Sequence, residues 1–152
     1  MMPLRDFGHY LREGVIEKRS PDRQRALSLA EKSAKRKRFI ENMIGKISVS
    51  EEDADYFIEN CYDVVIGLIR AKLALDGYKS SGKGAHEAEV SYMRNMGFPE
   101  SDVRFMNELR YFRNGIKYYG NSFGKEYAER VIAFMDRVYP KLRQTVIRQK
   151  LI

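Results

Sequence analysis

Thirteen consecutive residues, from Glu108 to Gly120, concentrate side chains that can bind phosphate or stack on a base; they read E-L-R-Y-F-R-N-G-I-K-Y-Y-G. On a helix with about 100° per residue, four polar side chains fall within about a third of the circumference: Arg110, Arg113, Asn114 and Lys117. Guanidinium, amide and ammonium groups on one face are typical of a site for phosphate or RNA. The alternative is the solvated face of a bundle helix.

The opposite face of the same helix carries the apolar residues that would attach it to a core. Their spacing of three or four positions predicts a buried stripe made of Phe105, Leu109, Phe112, Ile116 and Tyr119. The pattern therefore predicts an amphipathic helix that displays its cations outward. Tyr118 follows Asn114 by four positions, so its ring is placed beside that amide, where it can stack on a nucleotide base.

Length and composition indicate one globular domain. The chain has 152 residues, of which 43% are hydrophobic, so a substantial core is expected. The single cysteine, Cys61, excludes an internal disulfide and fits a reducing compartment. No apolar run approaches the roughly 18 residues of a membrane span, and residues 1–10 lack the apolar core of a signal peptide. We therefore expect a cytoplasmic protein without membrane contact.

Charge is distributed in three blocks. Residues 1–47 carry a net charge of +6, residues 48–103 carry −6, and residues 104–152 carry +7. Blocks of opposite charge attract one another across neighbouring helices. The surplus of lysine and arginine, +7 for the whole chain, favours a partner that carries phosphate.

Helical spacing and the scarcity of proline predict an all-α fold, an up-and-down bundle of about five to six helices. The predicted helices cover residues 4–18, 21–46, 50–76, 85–96, 100–119 and 124–149. No segment alternates like a strand, and residues 77–84 are predicted to form a mobile linker. Residues 1–152 are interpreted as a single domain, with a short N-terminal helix in 1–19 and the bundle in 20–150.

The remaining chemistry-bearing residues give weaker indications. Residues 77–84 have nearly the spacing of a phosphate-binding P-loop, but Gly84 stands where the metal-holding serine or threonine belongs. The four charges of Lys35–Arg38 point in four directions on a helix, which favours a solvated surface over a nucleic-acid contact. His9, His86 and Cys61 lack metal-ligand spacing, so neither a metal nor a cofactor is expected.

The segment Arg113–Tyr119, near the end of the penultimate predicted helix, resembles the signature region of the HEPN family. Across residues 20–145 the order of features agrees: a long helix Ser50–Asp76, a loop, a short helix with His86, the Gly97–Pro99 break and then E-L-R-Y-x-R-N. The resemblance implies a bundle that pairs with a copy of itself, so that the motif helices form a basic cleft between protomers. Many members are metal-independent ribonucleases, often toxins, and others bind nucleotides or RNA without catalysis.

The family motif is an arginine, a polar residue and then a histidine four to six positions after the arginine. Arg113 and Asn114 match its first part, whereas Tyr118 stands where the histidine belongs. A histidine has a pKa near neutrality and can remove the 2′-hydroxyl proton of RNA, but a free tyrosine has a pKa near 10. Binding should therefore survive this departure better than catalysis.

The resemblance also implies a small nucleotidyltransferase as a partner. In such pairs the partner modifies a tyrosine two residues after the motif histidine. That position is Gly120 here, so Tyr118 or Tyr119 would serve only after a shift in register.

The leading hypothesis is a HEPN-like homodimer that binds RNA or a nucleotide in a basic cleft between subunits. It would have weak or no ribonuclease activity and act in a toxin–antitoxin-like or nucleotidyltransferase-associated system. The ligand-binding residues would be Arg110, Arg113, Asn114, Lys117, Tyr118 and Tyr119. One alternative is an active metal-independent endoribonuclease toxin that uses Arg113, Asn114 and Tyr118, or Arg113 with a histidine from elsewhere such as His86. The other is a protein–protein interaction module without a ligand.

Overall fold

The computed structural model describes residues 3–151, with side chains for residues 3–147, so the ends of the predicted 1–152 domain lie outside the described range. Six α-helices occupy this range: α1 (Phe7–Arg12), α2 (Arg23–Lys46), α3 (Ala54–Asp76), α4 (Ala85–Ser91), α5 (Glu100–Tyr119) and α6 (Lys125–Leu151). A 3₁₀ helix, Tyr92–Met96, follows α4 directly. The predicted all-α helical bundle is confirmed. In the described part of the chain, no helix is both long and apolar enough to cross a membrane.

Helix α3 is the centre of the core and carries a continuous apolar stripe. Its stripe residues are buried at nearly every position: Phe57, Cys61, Val64, Val65, Leu68 and Ala71. The helix packs against α2, α6 and α5, so side chains from three neighbours cover it. Gly77 ends it with a left-handed φ of 81°, a conformation that favours glycine.

Two short strands contradict the prediction that no strand is present. β1 (Ile16–Lys18) pairs antiparallel with β2 (Tyr78–Ser80), and Ile16 lies opposite Ser80. The predicted helix over residues 4–18 is therefore wrong in its second half. Helix α1 ends at Arg12, and the chain turns at Gly14, whose φ of 75° is left-handed, before Ile16 enters the core.

The prediction of a mobile linker over residues 77–84 is also wrong for its first half. β2 occupies residues 78–80, and backbone hydrogen bonds extend the pairing on both sides. The Arg19 amide donates to the Gly77 carbonyl at 2.7 Å, and the Ser81 amide donates to the Val15 carbonyl at 3.0 Å. This β-ribbon fixes the segment that leads into α4.

Several predicted helix ends shift by a few residues. Helix α2 begins two residues after its predicted start, and Asp22 caps it by accepting a hydrogen bond from the Arg25 amide at 2.9 Å. The predicted start of the third helix at residue 50 is too early, because α3 begins at Ala54. Residues 50–53 form a turn before it, in which the Ser50 hydroxyl donates to the Asp53 carboxylate at 2.9 Å. The helix predicted over 85–96 divides into α4 and the 3₁₀ helix. The predicted bounds of α5, 100–119, are confirmed.

Candidate functional site

The end of α5 forms one wall of a cleft of about 500 Å³, which we call the α5 cleft. Its polar and aromatic lining consists of Arg110, Tyr111, Phe112, Asn114, Tyr118, Tyr119, Asn121 and Phe123. Four of the six predicted ligand-binding residues are therefore in one concavity. The chain can fold back over α5 because Gly115 has no side chain: a Cβ there would lie 2.7 Å from Asn121 Nδ2.

Three tyrosines of the α5 cleft are exposed. The exposed fractions are 51% for Tyr111, 64% for Tyr118 and 79% for Tyr119. Exposed aromatic rings grouped around a cavity provide flat surfaces for stacking. The assignment of Tyr119 to the buried stripe is wrong, because this residue is the last of α5 and its ring extends past the packed part of the helix. Leu109, by contrast, is buried as predicted.

Arg110 is buried, which corrects the expectation that the arginines of α5 are displayed to solvent. Only 9% of the residue is exposed. Its Nε donates to Asn107 Oδ1 at 3.0 Å, and its Nη1 lies 3.1 Å from Glu87 Oε1 on α4. Arg110 thus lines the α5 cleft while Asn107 and Glu87 fix its guanidinium, and Glu87 balances much of the charge.

Arg113 is also buried, and it faces α3 rather than the α5 cleft. Its Nη2 lies 3.4 Å from Asp63 Oδ1, and its guanidinium carbon lies 5.0 Å from the centre of the Tyr62 ring. Nε of Arg113 is buried without a hydrogen-bond partner among the described residues. Arg113 is therefore separated from Asn114 and Tyr118, the other two residues of the predicted catalytic set, which line the cleft.

Lys117 remains exposed, as predicted. Its Nζ lies 5.6 Å from the centre of the Tyr118 ring, in the range of a cation–π contact. An ammonium beside an exposed ring can meet the phosphate of a ligand whose base stacks on that ring. Lys117 is thus a cation at the end of α5 for which the structure shows no acidic partner among the described residues.

A second group of polar residues lies on the other side of Arg113, and we call it the α3–α4 network. It consists of Tyr62, Asp63, Arg70, His86 and Glu89. The Tyr62 hydroxyl lies 3.2 Å from His86 Nδ1, and Arg70 Nη2 lies 3.3 Å from His86 Nε2. Arg70 Nε donates to Glu89 Oε2 at 2.8 Å, and Glu89 is only 3% exposed.

The surroundings of His86 favour its neutral form. Burial lowers the pKa of its imidazole, and the positive charges of Arg70 and Arg113 lower it further, against the opposing effect of Glu89. Because Arg70 can only donate, His86 Nε2 accepts and Nδ1 carries the proton toward the Tyr62 hydroxyl. Burial also raises the pKa of Tyr62, so its hydroxyl stays protonated.

Sequence reasoning missed Asp63, Arg70 and Glu89. Asp63 and Arg70 are seven positions apart, which places the two charges on one face of α3, opposite its apolar stripe. Two opposite charges on one face of the most buried helix were the available signal. Charged residues on a buried helix need partners from a neighbouring element, and here α4 and α5 supply them.

No group of three or more histidine, cysteine, aspartate or glutamate side chains in the described residues could hold a metal ion. The side chains that line the α5 cleft carry amides, phenols, phenyl rings and a guanidinium, which suit hydrogen bonding and stacking. No protein-family model, curated protein or solved structure matches the chain.

Proposed function

We propose that this protein binds a nucleotide or single-stranded RNA in the α5 cleft. The observation that carries the proposal is the grouping of Arg110, Asn114, Tyr118 and Tyr119 around one cavity of about 500 Å³. A cavity of that size falls in the range typical of small-molecule sites. A net charge of +7 favours a phosphate-bearing ligand over a neutral one.

Each side chain of the cleft has a distinct part in this proposal. The exposed rings of Tyr118 and Tyr119 stack on bases, which contributes about 1–3 kcal/mol per base. The Asn114 amide can donate to and accept from a base edge, and Lys117 meets phosphate from the rim. Arg110 is held by Glu87, so it acts as an oriented hydrogen-bond donor rather than as a free charge.

The biological setting of this proposal is taken from the HEPN-like resemblance. We propose a homodimer whose α5 clefts lie at or beside the subunit contact, in a toxin–antitoxin-like or nucleotidyltransferase-associated system. The exposure of Tyr119, at 79%, supports a small nucleotidyltransferase as partner, because a tyrosine must be accessible to be modified.

Replacing Tyr118 and Tyr119 together by alanine should weaken binding of a fluorescein-labelled oligouridylate by at least about tenfold, because two stacking contacts are lost. Fluorescence anisotropy at two salt concentrations measures the dissociation constant and its salt dependence. Tyr118→Phe keeps the ring and should retain binding. Tyr56→Ala is the matched control, since Tyr56 is 70% exposed but lies outside the cleft.

Two results would contradict the proposal. If the parent protein binds neither the oligomer nor a labelled mononucleotide, the chain is an interaction module. If the Tyr56 variant loses as much affinity as the Tyr118/Tyr119 variant, the binding surface lies elsewhere.

A second candidate function is a metal-independent ribonuclease, and the position of His86 favours it. The Tyr62 side chain contacts both Arg113 and His86, so a neutral imidazole lies close to the arginine of the motif. The imidazole would take the 2′-hydroxyl proton of RNA, and the 2′-oxygen would attack phosphorus to form a 2′,3′-cyclic phosphate. The bond from phosphorus to the 5′-oxygen would break, and that oxygen would leave as a hydroxyl with a proton from water. A guanidinium would stabilise the phosphorane charge. Arg70 must first release His86 Nε2, because it donates to that atom in this structure.

If the protein is a ribonuclease, His86→Gln should reduce the rate at which it cleaves the oligouridylate by about 100-fold, the usual contribution of a general base. The assay contains a chelator, so that metal-dependent cleavage does not contribute. Tyr118→Phe should leave the rate unchanged, whereas a catalytic tyrosine would make it fall. Gel separation of cleaved oligomer measures the rate, and circular dichroism checks that both variants are folded. Absence of cleavage by the parent protein over several hours excludes this function.

A further inference from the structure

We infer that a second cleft, between α2 and α3, binds a phosphoryl group. This α2–α3 cleft has a volume of about 240 Å³, and its polar lining consists of Lys32, Ser33, Arg36, Asp63 and Arg70. It shares no lining residue with the α5 cleft. The inference is therefore independent of the proposed function.

The charges of the α2–α3 cleft are unbalanced. Three cations line it and Asp63 is the one carboxylate of the lining, while Arg70 is also paired at 2.8 Å with Glu89, which lies outside the cleft. The Asp63 carboxylate is shared, because Arg36 Nη1 lies 3.7 Å from one oxygen and Arg113 Nη2 lies 3.4 Å from the other. Both distances exceed the 2.7–2.9 Å of a close charge-assisted hydrogen bond. An anion in the cleft would relieve the remaining repulsion between the cations.

Arg36 and Lys32 reach the cleft from one side. They are four positions apart on α2, so they lie on the same face one turn apart. The Arg36 guanidinium is held by Asn60 Oδ1, which accepts from Nη1 at 2.8 Å. The neutral amide orients the guanidinium without cancelling its charge, which the Asp63 carboxylate at 3.7 Å offsets in part.

Arg70 reaches the cleft from the other side, and the α3–α4 network fixes its orientation. Glu89 accepts from Arg70 Nε at 2.8 Å and is itself held by the Ser80 hydroxyl at 2.7 Å. His86 contacts Nη2 of the same guanidinium at 3.3 Å. Because Glu89 and His86 already restrict the Arg70 side chain, it loses less conformational entropy when a ligand binds.

The floor of the cleft is open because Gly67 has no side chain. A Cβ at Gly67 would lie 2.3 Å from Ser33 Oγ, so any larger residue would fill the space where α2 and α3 meet. Ser33 is buried, at 3% exposed, and its hydroxyl adds a donor at the floor. Two arginines on opposite walls with a hydroxyl between them suit the several oxygens of a phosphoryl group better than a single carboxylate.

The test compares two double variants of equal charge. Lys32→Gln with Arg36→Gln removes two cations of the cleft. Lys35→Gln with Arg38→Gln removes two exposed cations of the same helix that lie outside it. Titration with inorganic phosphate at constant ionic strength, followed by the arginine Nε–H signals in ¹⁵N NMR, gives the dissociation constant.

We expect saturable shifts of the Arg36 and Arg70 signals in the parent protein. The Lys32/Arg36 variant should bind phosphate about tenfold more weakly, the equivalent of one lost charge-assisted contact. The Lys35/Arg38 variant should change affinity by less than about twofold. An equal loss of phosphate affinity in the two variants would show that phosphate is attracted by the general positive charge of α2, and it would overturn the inference.

A second titration identifies the source of the phosphoryl group. An oligouridylate with hydroxyl groups at both ends contains phosphodiesters only, whereas inorganic phosphate resembles a free or terminal phosphate. Shifts of the Arg36 and Arg70 signals with either probe support the site and name its ligand class. Absence of such shifts with both probes overturns the inference, whatever the α5 cleft binds.

Discussion

Replacing Gly77 by alanine should lower the free energy of unfolding by about 3 kcal/mol. Two penalties combine at this position. The φ of 81° is left-handed and strains any residue with a Cβ, at about 1 kcal/mol. The new Cβ would also lie 2.5 Å from the carbonyl oxygen of Arg19, so the backbone must move, which costs about 1–3 kcal/mol more.

Gly82→Ala separates these two penalties. Gly82 has a similar φ of 77°, but an added Cβ meets no atom within 4 Å. It should therefore cost only about 1 kcal/mol. For a chain of this length, thermal unfolding should show midpoints lower by about 9 °C for Gly77→Ala and about 3 °C for Gly82→Ala. Equal shifts would mean that the contact with Arg19 does not constrain the turn.

The second large effect is expected at Glu89, the buried carboxylate of the α3–α4 network. Glu89→Ala should lower the free energy of unfolding by about 3 kcal/mol, because it leaves the Arg70 guanidinium and the Ser80 hydroxyl without their acceptor. Urea unfolding measures the change. Glu89→Gln keeps an acceptor oxygen for both donors, so it should recover part of the loss.

Glu100 provides the matched control for Glu89. Its carboxylate also pairs with an arginine, accepting from Arg94 at 2.9 and 2.7 Å, but its side chain is 52% exposed. Glu100→Ala should cost less than about 1 kcal/mol, because water solvates the arginine that remains. A loss at Glu89 no larger than the loss at Glu100 would contradict the role given to burial.

Local signals in the sequence predicted some elements well. The bounds of α5 follow from Pro99 before it and Gly120 after it, and the end of α3 follows from Gly77. The β-ribbon could not be predicted in this way, because each strand has three residues and its partner is distant in the chain. Pairing of that kind depends on how α2 and α3 fold back on each other.

Helical periodicity predicted that the polar residues of α5 share one face, but it could not predict which residues pack against that face. Arg110 and Arg113 meet carboxylates of α4 and α3, Glu87 and Asp63, and are buried by them. The sequence pattern of a solvated face and that of a face packed on oppositely charged neighbours are the same. Asn114 and Tyr118, further along the helix, were placed beside each other by the same reasoning and do border one cavity.

The β-ribbon has a consequence for the order in which the chain folds. Ile16 and Ser80 are 64 residues apart, so their pairing closes a loop that contains all of α2 and α3. Closing so long a loop is entropically unfavourable until those two helices have formed and brought its ends together. The ribbon should therefore assemble late, after the helical pair that lies between its two strands in the chain.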